Sequence, residues 1–541
     1  MLGQMQDWPL RVSRILDHAA KFHGGRRVVS AAPEGGRVET DWSGVRDEAL
    51  RVSQALARGG LRAGDRVGVM AWNTARHMAL WYGVPGAGGV THSLNPRLFE
   101  EQLVYIVNHA GDRVLVFDPD LAPVVAAIAP KLETVERFVC TAPDGAMPET
   151  PFPAESWDAF LGAADGDFDW VPGDERDACG VCYTSGTTGA PKGVVYSHRS
   201  NVLHAMAMIQ PDMLALSSND VVMPVVPLFH ANGWSLGFST PMAGAAMALP
   251  GRDLTPAGLM AMLDEGVTVT AAVPTVWLAL LEHLRRVGLA LPALERVVIG
   301  GSACPQAVIE AFQRDYGVRV LHAWGMTETS PLGTFCSFKP EIMAKPEAER
   351  METQLKVGHP PFTVDVTLRD DFGAEVPWDG ATPGRLMIRG AAVVQRYLKA
   401  EEAAADADGW FDTGDVATMD AFGYVRIVDR TKDVIKSGGE WISSIDLENA
   451  ALGRPDVAEA AAVATAHPKW GERPVLCVAP RAGETVDVEA LMAQLAGLFA
   501  KWQLPDDVIV MDALPHTATG KLSKLTLRRE LEAKGYRAPG V

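Results

Sequence analysis

Short apolar runs closed by turn formers recur along the chain, and helical periods lie between them. GDRVGVMAWN (65–74) and GDRVLVFDPD (111–120) read as buried strands, and EALRVSQALARGGL (48–61) reads as a helix beside them. VTVTAAVPTVW (267–277) and LERVVIGG (294–301) repeat the strand theme. Strands alternating with helices predict an α/β fold with largely parallel sheets covered on both faces. No period of about 20–50 residues recurs, so the chain is not a solenoid. The start, MLGQMQDWPLRVSRILDHAAKF, reads as an amphipathic helix. A boundary falls near Arg430–Lys432, dividing a large multi-sheet domain, 1–431, from a small α/β domain, 432–541. In the small domain a helix is expected at ISSIDLENAAL, with Ser443 and Asp446 as a capping box. Strands are expected near AEAAAVAT and PVLCVAPR, and a helix at EALMAQLAGLFAKW.

Length supports this division, since 541 residues exceed one ordinary core. The net charge of −18 disfavours a nucleic-acid partner but leaves room for a locally basic pocket and an anionic small ligand. From Val221 to Pro250 no charged residue occurs, which is long enough to span a bilayer. Pro224, Pro227, His230, Asn232 and Pro241 argue instead for a strand, a loop and a core helix that could line an apolar pocket. The N-terminal stretch lacks the order of a signal peptide, so a cytoplasmic, non-spanning protein is expected. Six cysteines make no disulfide scaffold. Cys179 and Cys182 form a CxxC that reads as two small core residues on a strand.

Candidate chemistry begins at YTSGTTGAPKGVVYSH (183–198). Successive backbone N–H groups of a Gly-rich turn form an anion nest, hydroxyls add donors, and Lys192 adds a point charge for phosphate. The spacing is not that of a Walker A loop, because Pro191, Val194 and Val195 send the chain into a strand rather than a helix. By itself the stretch is a nucleotide phosphate loop or a solvated turn.

Three further motifs follow in order: HAWGMTETS (322–330), FDTGDVATMDAFGYVRIVDRTKDVIKSGGEWIS (411–443) and PHTATGKLSK (515–524). Together with TSGTTGAPKG they resemble the adenylate-forming superfamily, which includes acyl-CoA synthetases, firefly-type luciferases and peptide-synthetase adenylation domains. The resemblance covers nearly the whole chain. It implies that Thr184, Ser185, Gly186, Thr187, Thr188, Gly189 and Lys192 hold the phosphates of ATP. It further implies that Thr327 touches the α-phosphate and that Glu328, with Thr184, holds Mg²⁺, a hard cation that favours oxygen. Gly301, Ser302, Ala303, His322, Ala323, Trp324, Gly325 and Met326 would surround the adenine, with His322 standing where many relatives carry an amide. Asp415 and Arg430 would take the ribose. Lys432 would be the hinge, and Ser437, Gly438, Gly439 and Glu440 would border the coenzyme A tunnel. Lys521 would be the catalytic lysine between carboxylate and α-phosphate, with Lys524 structural.

PLFHANGW (227–234) resembles the acyl-site segment of fatty acyl-CoA synthetases. On that resemblance His230 is a gate; read alone it is a satisfied core or surface histidine. Trp234, Val273, Pro274, Thr275, Trp277, Gly300, Gly325 and Met326 are wall candidates, few polar and none charged. With MLGQMQDWPL and GGEWIS, the segment resembles bacterial ligases acting on 3-(methylthio)propanoate in dimethylsulfoniopropionate breakdown, and medium-chain fatty acyl-CoA synthetases. The resemblance implies ATP, Mg²⁺ and coenzyme A as reaction partners, an acyl-adenylate intermediate, and a homodimer. A general short- or medium-chain ligase, a carrier-loading adenylation enzyme, a luciferase-type oxygenase and a non-catalytic nucleotide-binding module are the alternatives.

Overall fold

The computed structural model describes residues 1, 3–184, 190–438, 440–516 and 522–536. Packing divides the chain into two compact units, Met1–Asp365 with Arg389–Phe411, and Val366–Ile388 with Asp412–Val541. The packing boundary is therefore not a single cut near 431. The second unit takes in most of a sheet that precedes Lys432, because the strands of that sheet pair with one another.

In the first unit, six strands run in the order Arg137–Cys140, Asp112–Phe117, Arg66–Met70, Val90–Ser93, Ala178–Tyr183, Gly193–Ser197. All neighbours are parallel except the last pair. A second sheet has eight strands in the order Leu332–Phe335, Arg319–Gly325, Arg296–Ile299, Val269–Ala272, Val221–Pro224, Ala246–Leu249, Arg27–Ala31, Arg37–Asp41. It is parallel except at its two edges. Ala246–Leu249 and Val269–Ala272 are buried at every position, as strands covered on both faces must be. One apolar cluster joins the sheets: Val28, Met247 and Leu249 meet Val67, Val69, Val114 and Val116 through the helices that carry Trp42 and Tyr82.

The first helix is shorter than its hydrophobic pattern suggested. It runs Ser13–His23 and buries Ile15, Leu16 and Ala19. Pro9 holds the preceding Trp8 toward extended backbone, so the residues before it do not join the helix. The uncharged stretch from Val221 folds as strand Val221–Pro224, helix Leu236–Met242 and strand Ala246–Leu249. Among the described residues no helix is long and apolar enough to cross a membrane. All six cysteines are buried, and none is held in a disulfide. Asn201 Nδ2 donates to Cys179 Sγ at 3.3 Å, while Cys182 Sγ donates to the Phe229 carbonyl at 3.8 Å. Burial pushes the two thiols up to about 12 and about 11, so both are inert core residues at neutral pH.

The second unit holds most of the sheet Val364–Arg369, Gly384–Gly390, Phe411–Met419, Val425–Arg430. A further sheet runs Glu440–Ile442, Ile435–Ser437, Gly471–Pro480, Val457–His467, with Asp507–Val510 also paired to Gly471–Pro480. Helices Ser444–Leu452 and Val488–Leu498 share one apolar cluster with this sheet, and Lys524–Ala533 packs in another. The expected capping box is half formed. Ser443 Oγ accepts from the Asp446 amide at 3.1 Å, but the Asp446 carboxylate takes Arg426 at 2.8 Å.

Candidate active site

Strand Ala178–Tyr183 leads into the Gly-rich loop. At its neck the Thr184 amide donates to the Lys192 carbonyl at 3.0 Å, and the Lys192 amide donates to Thr184 Oγ1 at 3.2 Å. Ser185, Gly186, Thr187, Thr188 and Gly189 lie outside the described residues. The chain leaves the loop as strand Gly193–Ser197, as its β-branched residues predicted. Gly193 suits the tight packing there, since a Cβ would sit 3.0 Å from the Tyr183 ring and 3.1 Å from Leu398.

The Thr-Glu motif is a buried turn. Strand Arg319–Gly325 ends at Gly325, where a Cβ would lie 1.9 Å from the Pro331 carbonyl oxygen. A 3₁₀ turn, Thr327–Thr329, follows, and Thr327 and Glu328 are both buried. Tyr196 Oη donates to the Thr327 carbonyl at 2.8 Å. The Val394 amide donates to the Glu328 carbonyl at 2.8 Å, and Tyr397 Oη donates to Glu328 Oε1 at 2.8 Å. Lys192 Nζ lies 4.9 Å from the centroid of the same Tyr397 ring. The fold thus joins the neck of the loop to the Thr-Glu turn through a residue that no sequence motif marked. Tyr397 stands in an irregular stretch, with no periodicity to point to its partner.

Two residues ahead of Gly325 on the same strand comes Ala323, flanked by His322 and Trp324, and all three are buried. His322 is paired in register with Ile299. Burial pushes its imidazole down to about 4, against the backbone of Gln354, Lys356 and Leu355, which favours the charged form. His322 is therefore neutral at pH 7. From Ile299 the chain runs directly into Gly300–Ala303. Gly301 has φ of +81°, a left-handed position that glycine occupies without steric cost. Gly301 and Ser302 are exposed and Ala303 is half-buried.

The acyl-wall candidates converge in part. His230, half-buried, opens a left-handed turn, Ala231–Ser235, in which every residue has positive φ. A non-glycine residue in that region costs roughly 1–2 kcal/mol. Asn232 Nδ2 holds the turn by donating to Asn201 Oδ1 at 3.1 Å. The turn delivers the buried Trp234 ring to within 3.3 Å and 3.6 Å of where Cβ atoms on Gly300 and Gly301 would stand. Val273 Cγ1 is 3.2 Å from the latter point. Pro274 and Thr275 begin helix Pro274–Val287, while Gly325 and Met326 are half-buried at the strand end. Trp277 does not join this group. It is fully buried in another cluster, edge-on to Phe312 at 5.7 Å, and its Nε1 donates to the Ala272 carbonyl at 3.2 Å.

In the second unit Asp415 and Arg430 are cross-strand partners, with Arg430 Nε 2.8 Å from Asp415 Oδ1. Asp415 is buried and Arg430 is half-exposed. Lys432 is exposed in the turn that the Val434 amide closes by donating to the Arg430 carbonyl at 2.8 Å. Ser437 is buried, and its Oγ accepts from Arg473 at 3.1 Å. Gly438 has φ of +62°, and a Cβ there would lie 2.9 Å from the Trp470 ring. Glu440 is exposed; Gly439 and Lys521 lie outside the described residues. Lys524 is held inside the unit, with Nζ 2.6 Å from Glu448 Oε1 and a further bond to Ser444 Oγ. Burial pushes Glu448 up to about 7 although Lys524 opposes this.

Known proteins place this arrangement. The AMP-binding enzyme family matches residues 16–398, and the AMP-binding enzyme C-terminal domain matches 446–521. The chain is 48% identical over 536 residues to a 3-methylmercaptopropionyl-CoA ligase of Ruegeria pomeroyi, covering 98% of this chain and 99% of that one. It is 41% identical over 532 residues to a medium-chain-fatty-acid–CoA ligase of Ectopseudomonas oleovorans, covering 98% and 97%. In fold it is similar to the crystal structure of an anthranilate CoA ligase in complex with anthranoyl-AMP, with a TM-score of 0.86 and 23% identity over 98% of this chain and 100% of that one. Matched through both family segments and over nearly its whole length, the chain belongs to the AMP-binding enzymes, with the adenylate-forming fold.

Proposed function

We propose that the protein is an ATP-dependent acid–thiol ligase that converts 3-(methylthio)propanoate and coenzyme A to the thioester, AMP and pyrophosphate. The observation that carries the acid is the likeness to the methylmercaptopropionyl-CoA ligase over nearly the full length of both chains. The corner formed by Trp234, Val273, Gly300 and Gly301 supports it, being apolar, uncharged and closed by an aromatic ring. A thioether is apolar and gains from contact with an aromatic edge.

In the first half-reaction a carboxylate oxygen attacks the α-phosphorus, the bond to the β-phosphate oxygen breaks, and pyrophosphate leaves. Two anions must approach, so fixed positive charge and hydrogen-bond donors aimed at the accumulating charge lower the barrier. Lys192 supplies charge at the neck of the loop, and the Thr327 hydroxyl supplies a donor. Lys521 is given the place between carboxylate and α-phosphate. In the second half-reaction the thiol sulfur attacks the acyl carbonyl, the acyl–phosphate bond breaks and AMP departs. Asp415 and Arg430 take the ribose, and Ser437, Gly438, Gly439 and Glu440 border the thiol path. Turning at Lys432 would let one site serve both halves.

The residues present fit Mg²⁺. The Glu328 carboxylate and the Thr184 hydroxyl are hard oxygen donors, and such sites use one or two carboxylates beside substrate phosphates. When bound, the ion would offset phosphate charge. The reading extends to a homodimer working in the cytoplasm.

The test is kcat/KM for thioester formation with ATP, Mg²⁺ and free coenzyme A across 3-(methylthio)propanoate, butanoate, pentanoate, hexanoate, octanoate and palmitate. Preference for the thioether acid over hexanoate supports the reading. Equal or better rates with hexanoate replace it with a general short- to medium-chain ligase.

A further inference from the structure

The segment 392–398 ties together two parts of the chain that are far apart in sequence. Ser330 Oγ donates to the Ala392 carbonyl at 2.7 Å, and the Val394 amide donates to the Glu328 carbonyl at 2.8 Å. These two bonds fix the segment to the Thr-Glu turn. The Leu398 amide donates to the Gly193 carbonyl at 2.8 Å, which fixes it to the strand leaving the Gly-rich loop. Tyr397 lies between these anchors. Its hydroxyl donates to one carboxylate oxygen of Glu328, and its ring face receives the Lys192 ammonium.

We infer that Tyr397 is a positioning residue of the phosphate end of the site, fixing the Glu328 carboxylate and the Lys192 ammonium relative to one another. The chemistry suits both partners. A phenol donating to Oε1 sets the carboxylate rotamer and leaves Oε2 for another electropositive partner. An aromatic face attracts an ammonium without neutralising it, which keeps the charge for phosphate. A carboxylate at Lys192 would satisfy the ammonium and compete with the nucleotide. The loss of Glu328 Oε1's partner leaves a buried charged oxygen without its donor, and a charge-assisted bond is among the stronger ones. This inference rests on the reading of the site as an ATP site.

The test uses the full chain and the variants Tyr397→Phe and Tyr397→Leu. Calorimetry measures ATP binding with no acid present, with and without Mg²⁺, beside melting curves and steady-state kinetics. Phe keeps the ring over Lys192 and removes the bond to Glu328. Its expected signature is a loss of about tenfold in the Mg²⁺-dependent part of ATP affinity. Mg²⁺-free binding and the KM for the acid should stay as in the wild type, while Tm falls by a few degrees at most, the cost of the buried oxygen left without its donor. Leu removes the ring as well, so Mg²⁺-free ATP binding should also weaken several-fold, about what an exposed cation–π contact supplies. A Phe variant with wild-type Mg²⁺ dependence overturns the inference, as does one whose Mg²⁺-free ATP binding falls as far as the Mg²⁺-dependent part. If the wild type itself binds no ATP, the functional reading falls instead.

Discussion

Two lysine-bearing regions show how differently one side chain can be used. Lys192 is exposed at the neck of the Gly-rich loop, its ammonium over an aromatic ring. Lys524 is mostly buried in the second unit, between Glu448 and Ser444. The first charge stays solvated and weakly held, which suits a group that must meet a phosphate. The second is sequestered with a carboxylate whose own ionisation burial opposes. Removing it would leave Glu448 uncompensated, so its work is in holding the unit together.

The contrast can be broken most sharply at Lys524. Lys524→Ala should destabilise the second unit by about 3–5 kcal/mol, the cost of breaking a buried pair from one side. Urea unfolding followed by tryptophan fluorescence measures this, and a variant as stable as the wild type would refute the structural role. Lys192→Ala should do the reverse. Pyrophosphate formation should fall about a hundredfold, near 2.7 kcal/mol of transition-state stabilisation, with Tm unchanged. Loss of Tm with intact turnover would erase the distinction.

A pH series sharpens it further. Glu448 has its folded value raised by burial from 4.5 to about 7. A group whose folded value is raised contributes stability that is fully present below the unfolded value and is lost as pH rises through the folded one. Stability should therefore fall between about pH 4.5 and about pH 7. Glu448→Gln should remove that part of the slope, up to about 3 kcal/mol, in paired melts across the window. The smallest effect is expected at the acid corner. A Cβ on Gly300 would meet the Ala323 carbonyl oxygen at 2.7 Å and Trp234 at 3.3 Å. Gly300→Ala should raise the KM for the acid about tenfold, leaving that for ATP unchanged. An unchanged acid KM would take Gly300 out of the wall.

Much of this was legible in the residues. The buried strands at Arg66–Met70, Asp112–Phe117 and Arg296–Ile299 follow from apolar runs closed by turn formers. The departure of the Gly-rich loop into a strand follows from Pro191 and the β-branched residues after Lys192. Asp415 and Arg430 belong to motifs that resemblance could mark, and a hairpin register makes them neighbours. The helix start at Ser13 was less clear, because an amphipathic period continues through residues that Pro9 keeps out of the helix. Trp277 carried the same apolar signal as Trp234, but only packing against Phe312 separates it from the acid corner.

What the sequence by itself determined are features set by neighbours along the chain: strand and helix periods, the glycine-rich loop, the order of the motifs. Their causes act over a few residues, through sterics and the alternation of apolar positions. The tertiary structure decided which distant groups meet. The left-handed turn that aims Trp234 is held by Asn201, 31 residues away from Asn232. Tyr397 reaches Glu328 across 69 positions. Such pairings depend on where whole sheets and segments come to rest, and no local propensity encodes that.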